Sequence, residues 1–167
     1  KLRQENSEGG ALMAGDSIIT DEMKAVIGVE SEPSVYEIEK EPIRRWAEAI
    51  GDPNPLYHDE EYAKSRGFRS LVAPPAFIAQ YAYPVKSGGG PRATFKNPFT
   101  RMLNGGNEYE LFKPVVAGDT ITATTKIVDL REREGRLGKM LIIISETTYK
   151  NQDGEVVAKS RSTGISY

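Results

Sequence analysis

The residues best suited to proton transfer lie together on one short loop. Histidine occurs once in the 167 residues, at His58, and cysteine does not occur. His58 ends the segment Gly-Asp-Pro-Asn-Pro-Leu-Tyr-His, so Asp52 and Asn54 lie within seven residues of the imidazole. An imidazole gains and loses its proton near neutral pH, which makes histidine the usual general acid or base. The loop therefore indicates acid–base chemistry with His58 as its near-neutral group.

Each residue of this loop also has a purely structural interpretation. Asp52 directly follows a predicted helix end, where Asp is common as a turn residue. Asn54 can form an Asx turn before Pro55, and His58 can hydrogen-bond locally at the start of the next helix. Taken alone, Asp-Pro-Asn-Pro is ordinary turn chemistry. The catalytic interpretation therefore needs support from elsewhere in the chain.

Composition excludes several classes of function. The net charge is -2, which gives no general case for nucleic acid. The absence of cysteine excludes disulfides and thiolate ligands and is consistent with a reducing, cytoplasmic compartment. With a single histidine and no cysteine, no zinc site is expected. Because no run of about 18 apolar residues occurs, no membrane span is expected. Residues 1–12 are polar and are expected to lie outside one domain covering 13–167.

One segment of this acidic chain is basic. No Asp or Glu occurs from Tyr62 to Asn107, and this window contains seven basic residues. Such a segment would attract an anionic ligand. The alternative is a chance distribution in a mostly buried stretch. The seven basic residues are Lys64, Arg66, Arg69, Lys86, Arg92, Lys96 and Arg101.

Hydrophobic spacing predicts four helices. The strongest has Pro42 in its first turn, apolar residues repeating from Ile43 to Ile50, and Gly51 as a left-handed cap. A second helix, from Pro75 to Tyr83, is apolar nearly all round except for Gln80, so it is expected to be buried on all sides. Shorter helices are predicted over residues 17–28 and 59–66. A long glycine-containing loop is predicted over residues 84–103.

The remaining patterns predict strands. Ser34 to Lys40 alternates between polar and apolar residues. The last third of the chain contains four further strands joined by short turns, which is typical of an antiparallel sheet. Such a sheet needs one face covered, and the apolar helix could cover it. The predicted fold class is therefore α+β, with an antiparallel sheet wrapped around a long central helix. The four strands are predicted over residues 107–112, 120–130, 139–150 and 155–167.

Two motifs in the right order resemble a known family. Gly51 to Asp59 is similar to the Gly-Asp-x-Asn-Pro-Leu-His-Asp signature of the MaoC-like dehydratases, the (R)-specific enoyl-CoA hydratase group. A second landmark of that family is a strand, a proline and then Gly-Asp, and it occurs here from Glu108 to Pro114 and at Gly118-Asp119. The resemblance covers Ser34 to Tyr167 and implies the hot-dog fold. It is greatest with the subgroup related to the dehydratase region of type I fungal fatty acid synthases.

The resemblance implies roles for the loop residues. Hydrating an enoyl thioester requires a held and deprotonated water, a proton exchanged at the alpha carbon and a donor for the enolate oxygen. By resemblance, Asp52 and His58 would hold the water and move the proton, and Asn54 would orient the water. Which of the two is the acid stays open. The catalytic hydratases, however, place His five residues after Asp, whereas here Tyr57 intervenes and the spacing is six.

The resemblance also implies a substrate-binding region. The family's glycine N–H at the start of the central helix is replaced here by Pro74-Pro75, so Ala76 or Phe77 would supply the oxyanion donor. Phe77, Tyr81 and Tyr83 could line an acyl pocket, although aromatic residues on a buried helix are more often core. Coenzyme A carries phosphates, so the substrate-binding prediction also includes Arg92, Lys96 and Arg101.

Three functions follow as hypotheses. The first is a hydro-lyase that hydrates trans-2-enoyl-CoA or dehydrates (R)-3-hydroxyacyl thioesters, whose only cofactor-like group is the coenzyme A of its substrate. The second is a non-catalytic, acyl-chain-binding subunit of a heteromeric dehydratase, since relatives with a similar helix start have this role. The third is a hot-dog thioesterase, which usually needs a carboxylate on the central helix. Hot-dog domains normally dimerise, so a homodimer or a heteromer with a second hot-dog chain is expected, without nucleic acid or membrane.

Overall fold

The computed structural model describes residues 17–82, 95–136 and 138–167, with the backbone alone at 81 and 82. Within these ranges the chain forms five strands, which confirms the predicted antiparallel sheet in an α+β fold. The strand order is β1-β3-β4-β5-β2. The predicted N-terminal stretch 1–12, Tyr83 and most of the loop 84–103 lie outside the described residues. The strands are β1 Ser34–Glu37, β2 Met102–Leu111, β3 Thr120–Gly135, β4 Gly138–Lys150 and β5 Val156–Ser166.

Two strands are longer than their sequence pattern predicts. β3 continues past Leu130 to Gly135, because its charged end is held by backbone pairing with the start of β4, up to Gly135 opposite Gly138. β2 begins at Met102 rather than at Asn107 and pairs along its length with β5. It includes a register shift between Asn104 and Gly106, a glycine-containing stretch that hydrophobic alternation does not identify as strand.

The first strong helix, α2, occupies Lys40–Ala49 and confirms the prediction from spacing. Ile43 and Ala47 are fully buried on its inner face. The predicted strand before it ends at Glu37, because Lys40 already belongs to the helix. The three other α-helices of the described ranges are short: α1 Asp21–Ala25, α3 Pro55–His58 and α4 Glu60–Ser65. α1 is shorter than predicted: the Thr20 side chain accepts the N–H of Met23 and caps its start, and the helix ends at Val26, after which Ile27 bridges to Ile127 of β3.

The central helix, Pro75–Ala82, differs from the prediction in its winding and its burial. It is a 3₁₀ helix of eight residues. Phe77 and Ile78 are buried in the main core cluster, which includes Ile121, Tyr149 and Val157 of the sheet. Pro75 and Ala76 are exposed, so the helix is not covered on all sides within the described chain. Pro74 and Pro75, which precede and start this helix, supply no N–H groups to its first turn.

A second core cluster lies apart from the first. Ile18 and Met23 pack with Phe95 against three residues of β3 and β4, namely Ile127, Leu130 and Leu141. The N-terminal segment and the segment after the central helix therefore cover one region of the sheet, whereas α2, α3 and the central helix cover another. None of the helices in the described ranges is long and apolar enough to cross a membrane.

The buried tyrosine of β4 makes the stability sensitive to alkali. Tyr149 is fully buried, and its burial raises the pKa of its hydroxyl to about 12, from about 10 in an unfolded chain. The folded state therefore binds this proton more tightly than the unfolded chain does. The contribution of this hydroxyl to the free energy of unfolding is complete below pH 10 and is lost between pH 10 and 12. Two pKa units correspond to about 2–3 kcal/mol.

We expect Tyr149→Phe to flatten this part of the pH profile. Urea unfolding at pH 8, 10 and 11.5 would measure the effect, with Tyr62→Phe on the exposed face of α4 as the control. An unchanged alkaline loss in Tyr149→Phe would assign the loss to other groups.

Candidate functional site

The loop after α2 is held by a chain of local hydrogen bonds. Gly51 adopts a φ of 68°, and the N–H of Asp52 donates to the Ala47 carbonyl at 2.9 Å, as in a Schellman cap. Oδ1 of Asp52 accepts the N–H of Asn54 at 3.0 Å. Oδ1 of Asn54 in turn accepts the N–H of Leu56 at 3.1 Å and caps α3. Asp52 and Asn54 therefore both perform the local turn and capping roles that the sequence allowed.

The structure brings His58 to Asp52 through the backbone. Nε2 of His58 lies 2.9 Å from the carbonyl oxygen of Asp52. Since a carbonyl oxygen only accepts, Nε2 carries the proton of this hydrogen bond, and Nδ1 is the ring nitrogen outside it. Both side chains are half-buried and line a shallow depression of about 520 Å³. The predicted acid–base residues are thus neighbours, with one imidazole nitrogen bound to the loop itself. The depression is completed by Ala47, Glu48, Gly51, Pro53, Pro55 and Asp59.

A separate apolar pocket of about 360 Å³ opens on the other side of α3. Among the described residues that line it, only Tyr57 and Lys113 carry polar side chains. Its remaining wall comes from α3, from the central helix and the segment before it, from the end of β2 and the chain that follows, and from β5. These residues are Leu56, Phe68, Val72, Ala73, Pro74, Pro75, Ile78, Leu111, Phe112, Pro114, Val115, Val157 and Ala158. A pocket with this lining suits a ligand with an apolar body and few polar groups.

Backbone bonds fix the walls of this apolar pocket. The Val72 N–H donates to the Leu56 carbonyl at 3.0 Å, and the Ala73 N–H donates to the Val115 carbonyl at 2.8 Å. The N–H of Lys113 donates to the Val157 carbonyl at 3.2 Å. The side chain of Lys113 is half-exposed and forms an ion pair with Glu155. A cation therefore stands at the solvent side of an otherwise apolar wall.

Tyr57 connects the pocket to the acid–base loop. Its side chain is 7% exposed. Burial raises the pKa of its hydroxyl and the negative charge of Asp52 adds to the rise, whereas a hydrogen bond with the Asn54 side chain opposes it. Sequence reasoning missed this residue because it treated Tyr57 as an interruption of the Asp–His spacing. The spacing itself was the available indication, because Tyr57 occupies the fifth position after Asp52.

The other predicted binding residues are dispersed. Phe77 is 1% exposed and contacts Trp46 edge-on, with 6.0 Å between ring centroids, so it belongs to the core. Ile78, the next residue of the central helix, lines the pocket. The N–H of Phe77 donates to the Pro74 carbonyl at 2.8 Å, so it is used within the helix. Of the two predicted oxyanion donors, Ala76 is the one whose N–H precedes this first hydrogen bond. The side chain of Tyr81 lies outside the described residues.

Within the part of the chain that the structure describes, the basic segment supplies no basic residue to the lining of the apolar pocket. Lys96 and Arg101 are exposed and do not belong to the described lining of the apolar pocket. Arg92 falls outside the described ranges. Of the other basic residues, Lys64 pairs with Glu60 and Glu61, and Arg69 pairs with Asp119. Lys113, which lies just after the acid-free window, is the cation at the pocket, and its position before Pro114 in the second landmark is the pattern that could have identified it.

The second landmark, at Gly118-Asp119, holds neighbouring segments of the chain together by hydrogen bonds and an ion pair. Asp119 is buried, accepts the Val116 N–H at 2.7 Å and pairs with the guanidinium of Arg69. Gly118 adopts a φ of 91°, and its N–H donates to the Ile38 carbonyl at 2.7 Å. These bonds connect the turn before β3 to the chain after β1 and to the segment that leads into the pocket wall.

A protein-family model shows which family this chain belongs to. Residues 25–160 match the model of the FAS1-like dehydratase domain region. The chain belongs to this family. It is also 30% identical over 141 residues to a UPF0336 protein of Saccharopolyspora erythraea, covering 84% of this chain and 88% of that protein. A probable enoyl-CoA hydratase alpha subunit of Thermomonospora curvata is 33% identical over 71% of this chain and 41% of its own length.

Solved structures confirm the hot-dog fold of this FAS1-like dehydratase-region protein. A MaoC-like dehydratase superimposes with a TM-score of 0.71 and 23% identity, covering 86% of this chain and 43% of that one. The C-terminally truncated HadBC complex of Mycobacterium tuberculosis, a 3R-hydroxyacyl-ACP dehydratase, gives a TM-score of 0.67 and 24% identity, covering 84% and 96%. The resemblance seen in the motifs is therefore confirmed, and the family is one of hydratases and dehydratases.

Proposed function

We propose that this chain is the acyl-binding subunit of a hot-dog hydro-lyase that acts on 2-enoyl or (R)-3-hydroxyacyl thioesters. The proposal rests on one observation: neighbouring residues of the loop and α3 line two different cavities. Leu56 and Tyr57 face the apolar pocket, whereas Asp52 and His58 line a different depression. An acyl chain in the pocket is separated from the predicted acid–base pair by the wall of α3.

The pocket supports an acyl thioester as its ligand. Apolar groups line most of its wall, and each methylene buried there contributes about 0.8 kcal/mol. Lys113 is half-exposed beside this wall, where it can exchange Glu155 for a phosphate of coenzyme A or of a carrier protein. Lys113 is therefore our proposed phosphate contact at the pocket, and the phosphate contact that the sequence assigned to Arg92, Lys96 and Arg101 stays a prediction.

The loop offers few free groups for chemistry by this chain alone. Hydration requires a base for water and a proton at the alpha carbon. Nε2 of His58 is used by the Asp52 carbonyl, and Oδ1 of Asp52 is used by the Asn54 N–H. A partner that brings its own acid–base pair to the open side of the pocket would complete the site.

The surface around the pocket supports such a partner. β2 is an edge strand whose ten residues are all exposed. An exposed edge of this length is a template for pairing with another chain. Leu111, at its end, and Phe112 are both half-exposed and line the pocket, so a second hot-dog chain packed along β2 would also close the pocket. The name of the Thermomonospora relative, an alpha subunit, is consistent with a heteromer.

An autonomous hydratase is the second candidate. It is favoured by the presence of Asp52, Asn54 and His58 on one rigid loop, with Nδ1 of His58 outside the hydrogen bond that holds Nε2. In that case the substrate would reach the depression beside α3, and Asp52 and His58 would hold the water between them.

Isothermal titration of the purified chain with acetyl-CoA, butyryl-CoA and free coenzyme A tests the proposed function. Two additional methylenes in the pocket should make butyryl-CoA bind about 10-fold more tightly than acetyl-CoA. Free coenzyme A should bind more weakly than either. Equal affinities for the three ligands would exclude an acyl-binding pocket.

A further inference from the structure

The described lining of the apolar pocket divides into an exposed rim and a buried floor. Leu111 and Phe112 are half-exposed and form the rim at the end of β2. Val157 and Ala158 of β5 line the same pocket and are fully buried. An acyl chain that enters from solvent therefore passes the end of β2 before it reaches β5.

A β-bulge explains why two consecutive residues of β5 belong to this floor. Successive side chains of a regular strand point to opposite faces of the sheet. Here the register between β4 and β5 shifts between Tyr149 and Lys150, which leaves Val157 as an extra residue of β5. The Val157 carbonyl accepts the N–H groups of Phe112 and Lys113 at 2.9 and 3.2 Å, so the bulge is held against the rim. Because a bulge changes the direction of the side chains beside it, both residues can line one pocket.

The cross-strand row through Ala158 shows how far the floor extends. Ala158 pairs with Leu111 of β2 on one side and with Tyr149 of β4 on the other. Leu111 belongs to the rim, whereas Tyr149 is fully buried and lies outside the described lining. The small side chain of Ala158 therefore leaves room between two larger ones, and the Tyr149 ring occupies the next position of the row.

The next residue on the same face of β5 is polar. Ser160 follows Ala158 by two positions, so both side chains point to the same face of the sheet. Ser160 is buried, lies outside the described lining and places its hydroxyl oxygen 3.5 Å from that of Tyr149. The end of an acyl chain that separated these two hydroxyls would leave buried polar groups without partners. The apolar floor therefore stops at Ala158.

We propose that Ala158 sets the longest acyl group that the pocket encloses, and that the ligands are acyl thioesters of medium chain length. The inference rests on the proposed function, since it presumes an acyl group in this pocket. A cavity of about 360 Å³ holds on the order of ten groups the size of a water molecule, at about 30 Å³ each. Methylene groups have a similar size, so an octanoyl chain fits this cavity and a palmitoyl chain exceeds it.

Titration of the wild type and Ala158→Val with butyryl-CoA, octanoyl-CoA and palmitoyl-CoA tests this role. The wild type should bind octanoyl-CoA about 100-fold more tightly than butyryl-CoA, because four more methylenes are buried, and palmitoyl-CoA no more tightly than octanoyl-CoA. Ala158→Val fills the floor, so it should reduce the preference for octanoyl-CoA to about 10-fold and retain the affinity for butyryl-CoA within about 2-fold.

Ala123→Val is the matched control for this experiment. Ala123 is buried, pairs with Tyr149 from the opposite side on β3 and lies outside the described lining of the pocket. The variant adds the same two methyl groups beside the same tyrosine and should keep the wild-type preference. An equal loss of preference in Ala123→Val would assign the effect to repacking around Tyr149 and overturn the role of Ala158.

Ala158→Ser gives the same test if the larger side chain prevents folding. It adds one oxygen at the floor with little change of volume, so octanoyl-CoA should bind about 5-fold more weakly and butyryl-CoA within about 2-fold of the wild type. Affinity that still rises from octanoyl-CoA to palmitoyl-CoA would overturn the length limit and leave acyl binding intact. Unchanged or equally changed binding of both shorter ligands in the Ala158 variants would do the same. Failure of the wild type to bind any of the three thioesters would overturn both proposals.

Discussion

A chain carrying Leu111→Glu should bind butyryl-CoA about 30-fold more weakly than the wild type. Leu111 lines the apolar pocket at the end of β2. A carboxylate there must either lose its hydration or displace the acyl group, and it faces a ligand with negative phosphates. A penalty of about 2 kcal/mol gives the 30-fold change. Because the Leu111 side chain is 45% exposed, the variant should fold normally.

Leu103→Glu is the matched control for this experiment. Leu103 lies on the same strand, is 51% exposed and does not belong to the described lining of the pocket. Titration of both variants should show weaker binding for Leu111→Glu alone. Equal weakening in both would point to a general charge effect, and unchanged binding in both would place the acyl group elsewhere.

Phe77→Ala should lower the free energy of unfolding by about 3–5 kcal/mol, as is usual for a large aromatic side chain removed from a core. Phe77 is 1% exposed, packs in the main cluster and contacts Trp46 edge-on. Urea denaturation would measure the loss. Ala76→Ser, at the exposed neighbouring position, should change the stability by less than about 0.5 kcal/mol.

This result would also decide between two roles for Phe77. The sequence placed it in the acyl pocket, whereas the structure places it in the core, with Ile78 in the pocket lining. If Phe77→Ala kept nearly full stability and lost butyryl-CoA binding, Phe77 would be a pocket residue and the core assignment would be wrong.

Local patterns predicted the elements that position the site. The spacing of Ile43, Ala47 and Ile50, followed by Gly51, identified α2 and its cap, because buried spacing and left-handed glycine are properties of a few neighbouring residues. The alternation of the last third identified the antiparallel sheet for the same reason. The family motifs then identified the hot-dog fold, which the superpositions confirm.

Features that depend on distant contacts could not be predicted. The extra length of β2 depends on pairing with β5, and no local pattern marks Met102 as its first residue. The placement of Tyr57 in a pocket depends on the segment around Val72 and on the chain after β2, which line the same pocket. For that reason the sequence identified His58 as the key residue of the loop and treated Tyr57 as an interruption, although Tyr57 is the residue in the pocket.

The most direct test of the account is the hydration of crotonyl-CoA by the purified chain alone, followed by the loss of enoyl-thioester absorbance. The same assay would be run on the Asp52→Asn, His58→Ala double variant. The account predicts that the wild type binds crotonyl-CoA without turnover and that hydration begins only when a catalytic hot-dog partner is added. Turnover by the isolated chain that disappears in the double variant would contradict it and assign the chemistry to Asp52 and His58.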